Sequence, residues 1–351
     1  VPKEIQAPAQ EIVISPIEVQ ATSTSTEIIV EATSTPQKTT ESSPVVSAAP
    51  EIQDAPKGVP HISNPYSFEP VSTEELNTRT RAALVNILCA PQNGSFNPIS
   101  GSGVIIDPRG VIITNAHVAQ YMLVQDSIGY TCTIRTGSPA RNTYKAVVMY
   151  MPKPWVDEHA KDILNTKATG TGEHDFALLL ITTGATGVPL ESKEFSYLPY
   201  DVREGVVAKG DPVLVAGYPA GFLGGIEATK DLHPLTTTTN LKELLTFTAD
   251  HIDAFSLGGI ILAQGGSSGG AVVNYWGQLV GVVVTSSSGA TTAERDLRGL
   301  SISNVERTLL LLKNTGLQAF LSGDLLAKAQ SFATQDAPIY KAQFLETLKS
   351  R

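Results

Sequence analysis

From about residue 72 onward, brief runs of Val, Ile and Leu alternate with Gly, Pro, Asn and Asp, as at Leu84 to Cys89, Gly103 to Ile106, Val111 to Thr114, Tyr130 to Ile134 and Tyr144 to Met151. Short apolar runs bounded by turn formers predict strands. After a polar insertion over residues 152–172 the series resumes with Phe176 to Ile181, Pro212 to Ala216, Leu244 to Phe247, Gly259 to Ala263, Ala271 to Asn274 and Gln278 to Thr285. About twelve short strands with no helices between them predict an all-β antiparallel arrangement, either paired barrels or a sandwich. Helical texture returns only at the end, where Asn304 can cap Val305 to Leu312, followed by Asp324 to Phe332 and Ile339 to Leu348.

The N-terminal stretch has a different texture. Residues 1 to about 60 hold 22 Ser, Thr or Pro, no Phe, Tyr or Trp, and three Lys against eight Asp or Glu. Such a segment buries too little apolar surface to offset its backbone entropy, so residues 1–70 are expected to form a disordered linker or stalk.

Composition narrows the function. The 351 residues carry a net charge of −9, which argues against a nucleic-acid partner, since such proteins usually present a basic face. Apolar residues make up 42% and charged residues only 17%, as suits short strands joined by many turns. No run approaches the ~18 to 20 apolar residues of a membrane span. The first residue is Val, not Met, so the chain is expected to be processed or a fragment, with an export signal among the segments that could have preceded it. Two cysteines, Cys89 and Cys132, lack CxxC spacing and allow at most one bridge.

Three segments carry candidate chemistry. In Thr114-Asn115-Ala116-His117-Val118, a histidine at a strand end among small neighbours can be held in one tautomer as a general base. In His174-Asp175-Phe176, an acid at the mouth of a very apolar strand must accept hydrogen bonds to offset its desolvation; a histidine Nδ1–H is one donor and the turn's own amides are another. In Gln264-Gly265-Gly266-Ser267-Ser268-Gly269-Gly270, glycines let the backbone turn sharply with its amides converging beside a serine hydroxyl, as an acyl-transfer nucleophile with an oxyanion hole requires, although a flexible Gly/Ser loop has the same composition. His174 and His159 are expected to be structural or solvated, and no metal or organic cofactor is implied.

The order His117, Asp175, Ser268 in a chain of two strand sets resembles the chymotrypsin-like (trypsin-like) serine peptidases and, among them, the bacterial HtrA/Deg type. Gly210 to Gly221 resembles the strand and turn that open that family's second barrel, and Arg298 to Ser303 its closing strand before the final helix. The resemblance implies a peptidase domain over residues 71–314 built from two six-stranded antiparallel Greek-key barrels, the first at about 80–185 and the second at about 203–303, with a helical extension over 315–351.

It further implies Ser268 as nucleophile, His117 as general base and acid, Asp175 as the group that orients His117, and the amides of Gly266 and Ser268 as the oxyanion hole. Val284, Thr285 and Ser286 would form the strand edge that pairs with an extended polypeptide substrate, and Leu262 would floor the specificity pocket, favouring cleavage after small or medium apolar residues. Because the family's first and fourth strands are neighbours, Cys89 and Cys132 would form a disulfide, which fits an extracytoplasmic protein, whether secreted, periplasmic or tethered at the surface. Ser267 stands where animal trypsins carry the Asp of zymogen activation, and Val118 where they carry a Cys. The roughly 37 residues after the Val305 helix are fewer than a PDZ domain needs. The leading expectation is a serine endopeptidase; a catalytically silent peptide-binding module on a stalk and a narrow esterase or processing enzyme are the alternatives.

Overall fold

A computed structural model describes residues 53–54, 58–92, 98–163, 171–190, 194–221, 229–248, 250–286 and 291–349. Strand β1 (Gln53–Asp54) and helix α1 (Thr73–Ala83) come first. Six strands then follow: β2 (Leu84–Pro91), β3 (Ile99–Asp107), β4 (Val111–Thr114), β5 (Tyr130–Thr136), β6 (Arg141–Tyr150) and β7 (Ala177–Gly184). They close into an antiparallel barrel in the order β2-β3-β4-β7-β6-β5. Helix α2 (Ala116–Ile128) joins β4 to β5, and the short α3 (Lys153–His159) lies between β6 and β7.

Strand β7 shows why its sequence reads as an unbroken apolar run. Successive side chains point to opposite faces of a strand. Leu178 and Leu180 join a core shared with the second strand set, while Ala177, Leu179 and Ile181 join a core shared with α2 and the C-terminal helices. Both faces are covered, so neither alternates with polar residues.

The second set comprises β8 (Pro212–Gly217), β9 (Leu235–Asn240), β10 (Glu243–Thr246), β11 (Ala254–Gly258), β12 (Ala271–Asn274), β13 (Leu279–Ser286) and β14 (Leu297–Ser301). With β1 they form an eight-stranded antiparallel sheet in the order β1-β10-β11-β14-β13-β12-β8-β9, curled as the partner of the closed barrel. This is the chymotrypsin-like double-barrel arrangement. Helices α4 (Ile302–Lys313), α5 (Leu317–Leu321), α6 (Leu325–Gln335) and α7 (Ala337–Lys349) complete the chain's described part. Ser301 caps α4 by accepting the Asn304 N–H at 3.0 Å, three residues earlier than the cap expected at Asn304. Among the described residues no helix is long and apolar enough to cross a membrane.

Two expectations change. Helices do interrupt the strands: α1 begins with Ser72 accepting the Glu75 N–H at 3.2 Å, a Ser-x-x-Glu start visible in the sequence, and α2 buries Ala116, Val118, Ala119, Met122 and Val124 on several sides. Residues 58–70, expected to belong to the linker, instead lie along the second sheet together with Val71. Ile62 donates its N–H to Gly205 O at 2.8 Å, the Tyr66 hydroxyl donates to Asp201 at 2.7 Å, the Trp276 indole N–H donates to Phe68 O at 3.0 Å, and Val71 donates to Tyr275 O at 2.8 Å. Two aromatic rings and several anchored backbone groups supply what the composition of the upstream stretch lacks. Residues 1–52 lie outside the described residues, and most of the expected linker with them.

Candidate active site

Helix α2 starts at Ala116 and leaves its first N–H groups without partners inside the helix. Asn115 precedes it but sends its amide elsewhere, donating to Asp175 O at 2.8 Å. Asp175 takes over the capping role: its Oδ1 accepts the His117 main-chain N–H at 2.9 Å, and its Oδ2 lies 2.6 Å from His117 Nδ1. Asp175 is 4% exposed, while the His117 side chain is 36% exposed. A carboxylate at that distance accepts a hydrogen bond from Nδ1–H and leaves Nε2 as the ring's acceptor. Burial pulls the His117 pKa down, but the charge of Asp175 and its hydrogen bond outweigh burial and hold it above the ordinary histidine value.

His117 therefore sits in the first turn of a helix rather than in the tight turn expected. His174 also differs: it is not on the strand but in a left-handed turn with φ 57°, its Nδ1 3.3 Å from Thr308 Oγ1 on α4. Burial lowers its pKa. That turn aims Asp175 at α2.

The Gly265 to Gly270 segment lies between β11 and β12. Gly266 and Gly269 adopt φ values of 92° and 86°, a region L side chains rarely enter. A Cβ on Gly266 would stand 2.6 Å from Tyr218 O, so the close approach also demands glycine. Ser268 Oγ donates to Val284 O at 3.3 Å. Ser268 O accepts the Ser102 N–H at 2.7 Å, and the Gly269 N–H donates to Val283 O at 2.8 Å. Among the described residues no hydrogen bond uses the N–H of Gly266 or Ser268, so both donors remain free for a ligand. Ser267 is 1% exposed and its hydroxyl has no partner among the described residues.

Residues 101–282 match the profile of the trypsin-like peptidase domain. The chain belongs to that family. It is a serine protease, a hydrolase of peptide bonds. Similar solved structures include the serine endoprotease from Yersinia pestis, with 18% identity, a TM-score of 0.44 and coverage of 71% of this chain and 70% of that one. Another is Deg5, with 16% identity, a TM-score of 0.45 and coverage of 70% of this chain and 99% of that one. No curated protein matches the sequence.

Within this peptidase fold, β13 pairs with β12 only as far as Val282 but with β14 as far as Ser286. Of Thr285 and Ser286 only the backbone is described. Leu262 is fully buried among Val213, Val215, Phe255 and Leu257, so it supports the second core rather than presenting an open surface. Cys89 and Cys132 are direct register partners of β2 and β5, and a disulfide joins them.

Two residues near the site carry no signal that the motif reading used. Ser102 connects both strand sets to the Ser268 loop, and Asn115 locks the backbone of Asp175. The glycines flanking Ser102 were the available clue: a Cβ on Gly101 would stand 2.6 Å from Val118 Cγ1, and one on Gly103 2.7 Å from Ile112 Cγ2.

Proposed function

We propose that the protein is an endopeptidase working through a Ser268, His117, Asp175 triad and an acyl-enzyme intermediate. The observation that carries this reading is the double hold of Asp175 on His117, at 2.9 Å to the main chain and 2.6 Å to the ring, which presents a basic Nε2. In the first step Nε2 takes the Ser268 proton as Oγ bonds to the scissile carbonyl carbon. The resulting oxyanion accepts the N–H groups of Gly266 and Ser268. His117 then passes the proton to the departing amine, the C–N bond breaks, and water repeats the sequence to free Ser268.

The substrate runs extended along Val284 to Ser286, where β13 has no β12 neighbour. The absence of any acid from 256 to 264 favours small or medium apolar residues before the cut. A disulfide-bonded barrel supports an extracytoplasmic site of action.

A fluorophosphonate tests the nucleophile. It is expected to label the wild-type chain at Ser268 and to leave Ser268→Ala unlabelled and inactive, with turnover lowered about 10⁶-fold. Labelling of Ser267 in the variant, or retained peptidase activity, would defeat the assignment.

A further inference from the structure

Ser102 lies at the junction of the two strand sets and is completely buried. Each of its polar groups is engaged. Its N–H donates to Ser268 O at 2.7 Å, and its carbonyl accepts the Thr114 hydroxyl at 2.7 Å, three residues before His117. Its hydroxyl donates to Gly266 O at 2.7 Å and accepts the Tyr218 N–H at 2.8 Å.

The last pair matters because of where the oxyanion donor sits. The Gly266 N–H belongs to the peptide between two glycines, Gly265 and Gly266, and a glycine pair has little intrinsic preference for one peptide orientation. A Cβ on Gly265 would meet nothing nearer than 4.0 Å, so packing leaves that end of the peptide open, while at the other end Gly266 lies close against Tyr218 and Ala220. External hydrogen bonds add to that hold. One comes from the Ala220 N–H, which donates to Gly265 O at 2.7 Å. The Ser102 hydroxyl supplies the other: it holds the next peptide through Gly266 O and, through Tyr218, the Tyr218-Pro219-Ala220 segment that supplies the first.

We infer that Ser102 is a positioning residue for catalysis: its buried hydroxyl ties Gly266 to Tyr218 and thereby aims the Gly266 N–H at the developing oxyanion. Replacing it with alanine leaves a buried carbonyl and a buried N–H without partners and loosens the hold on the glycine pair. This role presupposes the Ser268 nucleophile proposed above.

The test compares Ser102→Ala with wild type on one cleaved peptide and on the matching peptidyl trifluoromethyl ketone, whose hemiketal oxygen mimics the tetrahedral oxyanion. Measured below its own melting temperature, Ser102→Ala is expected to lose kcat by about 10- to 100-fold, somewhat less than the loss of an oxyanion donor itself. Ketone affinity falls by the same factor, while KM and the pH midpoint of the acid limb stay at wild-type values. Ser102→Cys, which keeps the volume and a weak donor, is expected to lie between the two. It carries the comparison if the alanine protein is too unstable. Wild-type kcat in the folded variants, or a kcat loss without a matching loss of ketone affinity, would overturn the role. Retained activity in Ser268→Ala defeats the triad instead, so the two failures are distinguishable.

Discussion

Asp175 grips His117 through both carboxylate oxygens, one on the main-chain N–H that begins α2 and the other on the imidazole Nδ1. The helix end and the ring are thus oriented by one side chain. Because Asp175 overcomes the downward pull of burial, the neutral base forms only above the ordinary histidine value of about 6.5. The acid limb of kcat/KM is expected above that value. Asp175→Asn removes the raising influence and leaves burial, so the residual activity should show its acid limb at lower pH, with kcat reduced about 10⁴-fold. Rate profiles over pH for both proteins check the sign, and an unmoved limb would refute it.

Cleavage should follow small or medium apolar residues. Asp296, just before β14, already engages the Ser256 hydroxyl, the Gly258 N–H at 3.2 Å and Arg298 Nε at 3.2 Å. A cationic substrate side chain would displace those partners or stay unpaired at a cost. Mapping cut sites in a denatured protein tests this, and a majority after Lys or Arg would overturn it.

The Cys89 to Cys132 bridge closes 43 residues that include His117. In the chain-entropy account such a loop contributes on the order of 4 kcal/mol. The Cys89→Ala, Cys132→Ala double variant should therefore unfold at markedly lower urea concentration. An unchanged midpoint would show that the bridge adds nothing.

Phe344 of α7 is fully buried in the core that also holds Ala116, Val118 and Met122 of α2. Phe344→Ala is expected to cost about 3–5 kcal/mol, measurable as a shift in urea midpoint. The loss would fall on the barrel that carries His117, although residue 344 lies far from it in sequence.

The contact of His117 with Asp175 was more legible than its supports. His117, Asp175 and Ser268 each sit in a short segment whose composition has a chemical reason, and their order in the chain distinguishes the family. Strands such as β7 were legible as well, because Phe176 to Ile181 is too apolar and too short for an exposed helix. Helix α2 was not, since it is covered on several sides and lacks a polar stripe to reveal its period. Helix α1 did announce itself at Ser72 and Glu75, a capping signal outweighed by the surrounding strand texture. Ser102 was hidden for another reason: a lone serine between glycines acquires meaning only when Gly266 and Tyr218, more than a hundred residues away, arrive beside it.

The two flanks of the peptidase cross over. Residues 58–71 lie along the second sheet, whereas Phe332, Tyr340 and Phe344 complete the core of the first barrel. The strands of the first barrel are complete at residue 184, but its core also draws on residues 332–344. Contacts this distant in sequence slow folding and leave a half-built core exposed meanwhile. The side chains that back the His117 helix lie downstream of Ser268, so that core is complete only in a chain that already holds both strand sets.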